Sequence, residues 1–188
     1  AVRYKQQDPW ERIRLMAEAM PNTPLQFLST GFRFIAWETA SPEFIALAFQ
    51  VLARNGIRRF CLADPMNDSG ANITCARMVK QAGGDYVIAA LVFTLSPIHD
   101  DAYYAERARR LASSPDIDAI YIKDPGGLLS PARASTLIPA VKAQLDPHFL
   151  FNSLNSISSL CGSNPASART LTTLLAEYLR KSLRTGSA

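Results

Sequence analysis

The chain has 188 residues, 48% of them hydrophobic and 19% charged, with a formal net charge of +4 and a pI near 9.1. This composition excludes a disordered chain and leaves room for one ordinary domain, or one domain with a helical appendage. The positive charges are scattered in short groups, Arg107, Arg109 and Arg110 in one place and Arg180, Lys181 and Arg184 in another; they read as solvated helix faces, with no nucleic-acid module and no nucleic acid expected as partner.

Three cysteines, Cys61, Cys75 and Cys161, fit no metal-binding spacing, and their odd number points to a reducing, cytoplasmic setting. No stretch approaches the ~18 apolar residues of a membrane-spanning helix. The N-terminal residues lack signal-peptide organisation. They also lack an initiator Met, as a piece of a longer protein would.

Asp8 and Pro9 suit the cap and first position of a helix running to Met20, with Ile13, Leu15, Met16 and Met20 along its apolar side. Leu25–Leu28 reads as a short buried strand, and 31–37 either extends it or forms a loop. Ser41 and Pro42 open a second helix, striped by Phe44, Leu47, Ala48, Val51 and Leu52 and stopped by Gly56. Strands are expected at Arg59–Ala63, Tyr86–Phe93 and Ala119–Ile122, and helices at Ala71–Gln81, Asp100–Ala112 and Pro131–Lys142. Near-continuous apolar strands alternating with helices in units of about 30 residues predict a parallel sheet covered by helices, with polar loops at the carboxyl ends of the strands. The expected fold class is therefore α/β, a half TIM-type β/α barrel of four parallel strands in residues 1–142.

From Gln144 the pattern becomes purely helical. Phe149, Leu150, Phe151, Leu154, Ile157 and Leu160 share helical spacing, 162–165 reads as a turn with Asn164 as cap, and Leu171, Leu174, Leu175, Tyr178, Leu179 and Leu183 form a second stripe. Residues 143–188 thus predict an αα-hairpin, too short to bury both stripes alone, and a homodimer made through it. No Gly interrupts Val141–Ile157, so the last barrel helix is expected to run on into the hairpin, kinked at Pro147.

Five stretches in order, DPWERIRLMAEAMPNTPLQ from Asp8, ARNGIRRF from Ala53, DPMND from Asp64, TLSPIH from Thr94 and YIKDPGGLLSP from Tyr121, resemble landmarks of the pyruvate carboxyltransferase family, which includes the oxaloacetate decarboxylase alpha subunit. The resemblance implies a barrel that binds a divalent metal and works with a biotin carrier. It places Lys123 at the position of a carbamylated lysine ligand, whose carbamate oxygens bind the metal where a protonated amine would not. The family's other ligands, an Asp on an earlier strand and two His on a later one, have no counterpart here, so one ligand of four is expected and no cofactor bound by this chain alone. Where the family carries an Arg-Gly pair for the substrate carboxylate, this chain has Thr30 and Gly31, with Arg33 nearby. Asp64, Asn67 and Asp68 read first as loop structure.

The second half of the join, Gln144 to Ile157 with His148, Asn152 and Asn155, resembles the phosphoacceptor box of LytS-type sensor histidine kinases, and Leu174–Arg184 resembles that family's second helix. The resemblance implies His148 as phosphoacceptor. Asn152 and Asn155, four and seven residues on, share its helical face and can orient the ring or the phosphoryl group. The family's ATP/Mg-binding domain has no counterpart, so a kinase domain in trans would supply the phosphoryl group and a response regulator would receive it. Three readings follow. The first is a phosphorelay module fused to a truncated barrel, the second a carboxyltransferase or decarboxylase fragment that needs further strands, the third a chimeric product without activity of its own.

Overall fold

The computed structural model describes residues 2–36, 38–144, 157–162 and 164–185. The chain divides into two compact units, Ala1–Val141 and Lys142–Ala188.

In the first unit a single turn, α1 (Val2–Lys5), precedes α2 (Pro9–Ala19). The Asp8 carboxylate accepts from Trp10 N–H at 2.9 Å, so this start is set by the cap and proline read from the sequence. Four repeats of strand then helix follow: β1 (Leu25–Ser29), α3 (Pro42–Arg54), β2 (Ile57–Leu62), α4 (Ser69–Gln81), β3 (Tyr86–Val92), α5 (Asp101–Ala112), β4 (Ala119–Lys123) and α6 (Pro131–Lys142). The strands form one sheet in the order β1-β2-β3-β4, every neighbouring pair parallel. This is a partial TIM-type barrel.

Alternation along each strand decides where the core sits. Phe60 and Leu62 of β2 and Val87 of β3 join Ile45, Phe49 and Leu52 of α3 and Cys75, Ala76 and Val79 of α4 in one buried cluster, with Leu25 and Phe27 of β1 packed against it. Phe49 meets Phe60 edge-on at 5.6 Å and Phe27 meets Phe34 stacked at 5.2 Å. The alternate residues Gln26, Arg59, Cys61, Tyr86, Ile88 and Tyr121 line a groove of about 410 Å³ on the other face, and Leu28 there is 46% exposed. Among the described residues of the first unit, α3 and α4 pack on one face of the sheet, the arrangement of a barrel wall.

Several boundaries shift for local reasons. Residues 31–33 form a 3₁₀ turn, and Phe34 follows with φ 54°, so the stretch that could have extended β1 turns away from the sheet. β2 begins at Ile57 because Leu25 already pairs with it. Asp68 caps α4, accepting from Gly70 and Ala71 N–H at 2.8 and 3.1 Å, and so moves its start ahead of Ala71. α6 ends at Lys142, where the sequence placed its end, with a turn at 143–144; the expected run-on through Pro147 lies outside the described residues.

In the second unit residues 157–162 are helical and a helix spans Pro165–Thr185, its first turn capped by Asn164, which accepts from Ser167 N–H at 3.1 Å. These are the described parts of the predicted hairpin.

The turn between α4 and β3 allows a test of packing against backbone strain. Gly83 has φ 91° and open space where a Cβ would sit, whereas a Cβ on Gly84 would stand 2.5 Å from Val79 Cγ1 and 3.0 Å from the Phe60 ring. Gly84→Ala is expected to cost about 2–3 kcal/mol through overpacking and Gly83→Ala about 1 kcal/mol through its left-handed backbone; urea unfolding of the two variants should give that order.

Candidate functional site

The polar loops gather where the sequence placed them, at the carboxyl ends of the strands. Here each strand passes into its loop through a side chain tied to backbone. Ser29, fully buried at the end of β1, shares its hydroxyl between the carbonyls of Gly31 and Phe34 at 3.3 and 3.4 Å, and Thr30 Oγ1 donates to Phe34 O at 2.9 Å. Thr30 is therefore committed to its own turn.

After β2, Asp64 accepts from Asp68 N–H at 2.7 Å and Asp68 caps α4. Asn67 is buried with φ 54°. Its amide donates to Val92 O at 2.9 Å and accepts from Val92 N–H at 2.7 Å, so one side chain acts as a further strand residue beside β3. Asp64, Asn67 and Asp68 are all occupied in holding the loop, as the plain reading of DPMND had it.

After β3, Tyr104 Oη accepts from Thr94 N–H at 2.9 Å and lies 3.3 Å from Val92 O. Burial raises the Tyr104 phenol above its ordinary value, which keeps it a neutral donor. After β4, the Asp124 carboxylate collects Leu128 and Leu129 N–H at 2.9 and 2.8 Å; these backbone bonds hold its pKa below the ordinary carboxylate range.

Lys123 is the last residue of β4, half-buried, opposite Val92, with its carbonyl accepting from Phe93 N–H at 2.7 Å. Alternation puts it on the inner face with Tyr121. That face carries two contacts the sequence reading missed: Cys61 Sγ lies 3.2 Å from Tyr121 Oη, and the Arg59 guanidinium sits 4.6 Å from the centre of the Tyr86 ring. Desolvation first, then Cys61, pushes the Tyr121 phenol up. Only the period-two pattern of RFCL and YVIA could have flagged these residues.

Among the described residues no three His, Cys, Asp or Glu side chains converge as metal ligands. The described residues, Lys123 with them, do not by themselves fit a divalent ion. His148, Asn152 and Asn155 lie outside the described residues. No described helix is long and apolar enough to cross a membrane.

Comparison with known proteins gives these observations a context. Over 145 residues the chain is 34% identical to a pyruvate carboxylase subunit of Methanocaldococcus jannaschii, a match covering 77% of this chain and 25% of that protein. It is 32% identical over 141 residues to the 2-oxoglutarate carboxylase large subunit of Hydrogenobacter thermophilus, covering 75% and 21%. The carboxyl transferase domain of Rhizobium etli pyruvate carboxylase, solved with pyruvate and biocytin, superposes with a TM-score of 0.71 at 27% identity over 76% of this chain and 25% of that one. Residues in the first unit are homologous to pyruvate-type carboxyltransferase domains. The chain spans about a quarter of the length of these relatives. Separately, the family model for histidine kinase matches residues 137–188.

The Asn67 bridge is the most demanding polar contact at the strand ends. Asn67→Ala leaves Val92 N–H without its acceptor while Val92 O keeps Tyr104 Oη, and it removes the Asn side chain that supports a positive φ; it should lower stability by roughly 1–3 kcal/mol, read as a shifted urea midpoint at unchanged slope.

Proposed function

We propose that residues 1–142 form part of a biotin-dependent carboxyltransferase barrel of the pyruvate class, and that Lys123 is the lysine it contributes to a metal site completed by strands beyond these four. The observation that carries this reading is the coincidence of two independent placements. The sequence likeness to the Methanocaldococcus jannaschii pyruvate carboxylase protein runs through the stretch containing Lys123, and the fold sets Lys123 at the carboxyl end of β4, on the inner face. Carboxyl ends of barrel strands are where the chemistry of such folds gathers. The comparisons support this reading at least as well as the phosphorelay reading that the local completeness of the His148 box put first.

The chain's own residues have limited roles in it. Asn67 and Tyr104 fix the end of β3 beside Lys123, and Asp124 fixes the loop that follows. With Thr30 committed to Phe34 O, a substrate carboxylate would have to be met by Arg33 or by another strand.

The test is complementation. The chain is mixed with the remaining barrel segment of the Methanocaldococcus jannaschii protein, and pyruvate-dependent carboxyl transfer from carboxybiotin is followed. Activity is expected only in the mixture, and Lys123→Ala should lower it about 100-fold or more, as loss of a metal-ordering ligand does. A stable complex without transfer, or an unaffected Lys123→Ala, defeats the assignment.

A second reading rests on the histidine kinase match at 137–188. In it the second unit is a dimerising phosphoacceptor hairpin, with His148 taking a phosphoryl group from a kinase domain in trans while Asn152 and Asn155 orient it. Incubation with a LytS-type kinase domain and labelled ATP/Mg should label the wild-type chain and leave His148→Gln unlabelled. Equal label on both would remove His148 from the reading.

A further inference from the structure

A second groove opens among the loops at the carboxyl ends of the strands. It has a volume of about 610 Å³ and is bounded by Pro65 and Met66 after β2, by 92–94 and 98–99 after β3, by Tyr103 and Arg107 on α5, and by Pro125, Gly126 and Leu128 after β4. That volume suits a small organic molecule. Met66, Ile98 and Leu128 are 71%, 69% and 44% exposed, an apolar rim with nothing described against it.

The polar groups of this groove are prearranged. Ser96 Oγ accepts from Ile98 N–H at 3.3 Å and lies 2.7 Å from His99 Nδ1. With the Ser96 hydroxyl donating to Nδ1, the neutral ring carries its proton on Nε2. In the cation both nitrogens are protonated. Nε2 is thus a donor in either state, and no partner for it is found among the described residues. The ring meets Tyr103 edge-on at 4.6 Å, and the Arg107 guanidinium lies 5.1 Å from the centre of the same Tyr103 ring. The three side chains hold one another in a row.

The charge of Arg107 is unanswered. Among the described residues it makes no ion pair, and the neighbouring carboxylates are taken. Asp100 accepts from Tyr103 N–H at 2.8 Å, Asp101 binds Arg133, Glu106 binds Arg109 at 2.8 and 2.9 Å, and Asp124 holds its loop. A cation and a neutral N–H donor above apolar and aromatic walls match an anion whose body is apolar and flat.

We propose that this groove binds a small carboxylic acid with an aromatic or similarly flat apolar body, its carboxylate held by Arg107 and His99 Nε2. The proposal does not depend on Lys123, on a metal or on completion of the barrel.

The test is calorimetric titration of the full chain with benzoate and with benzamide, the same ring without the charge. Benzoate should bind at least about tenfold more tightly, the margin a charge-assisted contact gives. Arg107→Met, which keeps the stem over Tyr103, should erase that preference, while Arg110→Met, on the same helix, should keep it. Circular dichroism and thermal midpoints confirm that each variant is folded. Ser96→Ala, which frees Nδ1, should weaken benzoate while leaving benzamide unchanged, and it reads the site even if Arg107→Met fails to fold. Equal affinity for the two probes, no binding of benzoate, wild-type affinity in Arg107→Met or in Ser96→Ala, or equal loss in Arg110→Met would overturn the proposal.

Discussion

A parallel sheet buries its strands only when both faces are covered, and among the described residues of the first unit helices pack on one. The consequence runs through the first unit. On the helix side the alternation Phe60, Leu62 and Val87 produces a dense aromatic and aliphatic core in which the largest side chains are fully buried. On the other side the same strands present Gln26, Arg59, Cys61, Tyr86 and Tyr121, a set too polar for an ordinary core and too aromatic for an ordinary surface. In a closed barrel such residues form stacked layers in the interior. The Cys61–Tyr121 and Arg59–Tyr86 contacts satisfy part of that polarity within the sheet, yet Arg59 Nε is buried without a partner. An orphaned donor of that kind is costly, and it marks the inner face as one built to meet more protein or solvent.

At the strand ends the loops are fixed by local side-chain bonds to backbone. Ser29 holds the turn after β1, Asn67 joins the β2 loop to β3, Tyr104 joins α5 to the end of β3, and Asp124 folds the β4 loop upon itself. Each of these bonds links an element to the one beside it and not across the inner face, so the position of Lys123 follows from its near neighbours.

Legibility in the sequence follows the range of the interaction. Caps and helix starts were readable because Asp8, Ser41 and Asn164 act within three residues of themselves. Strand order was readable because sequential strands in β/α repeats lie side by side. What escaped was decided by partners distant in the chain. Asn67 finds Val92, Cys61 finds Tyr121, and β2 starts early because Leu25 meets Ile57. The place of His99 beside Tyr103 and Arg107 depends on the helix register of α5.

The two resemblances differ in completeness for the same reason. A barrel site takes one residue from each of several strands, so four strands can specify its scaffold in detail while carrying only part of a site. The phosphoacceptor box that Gln144 to Ile157 resembles is written in one continuous run of sequence, so a short stretch states it whole. Local completeness therefore says little about which chemistry a chain performs, because it measures how compactly a site is written. Similarity through 145 residues and a matching fold weigh toward the barrel because they had many independent chances to fail.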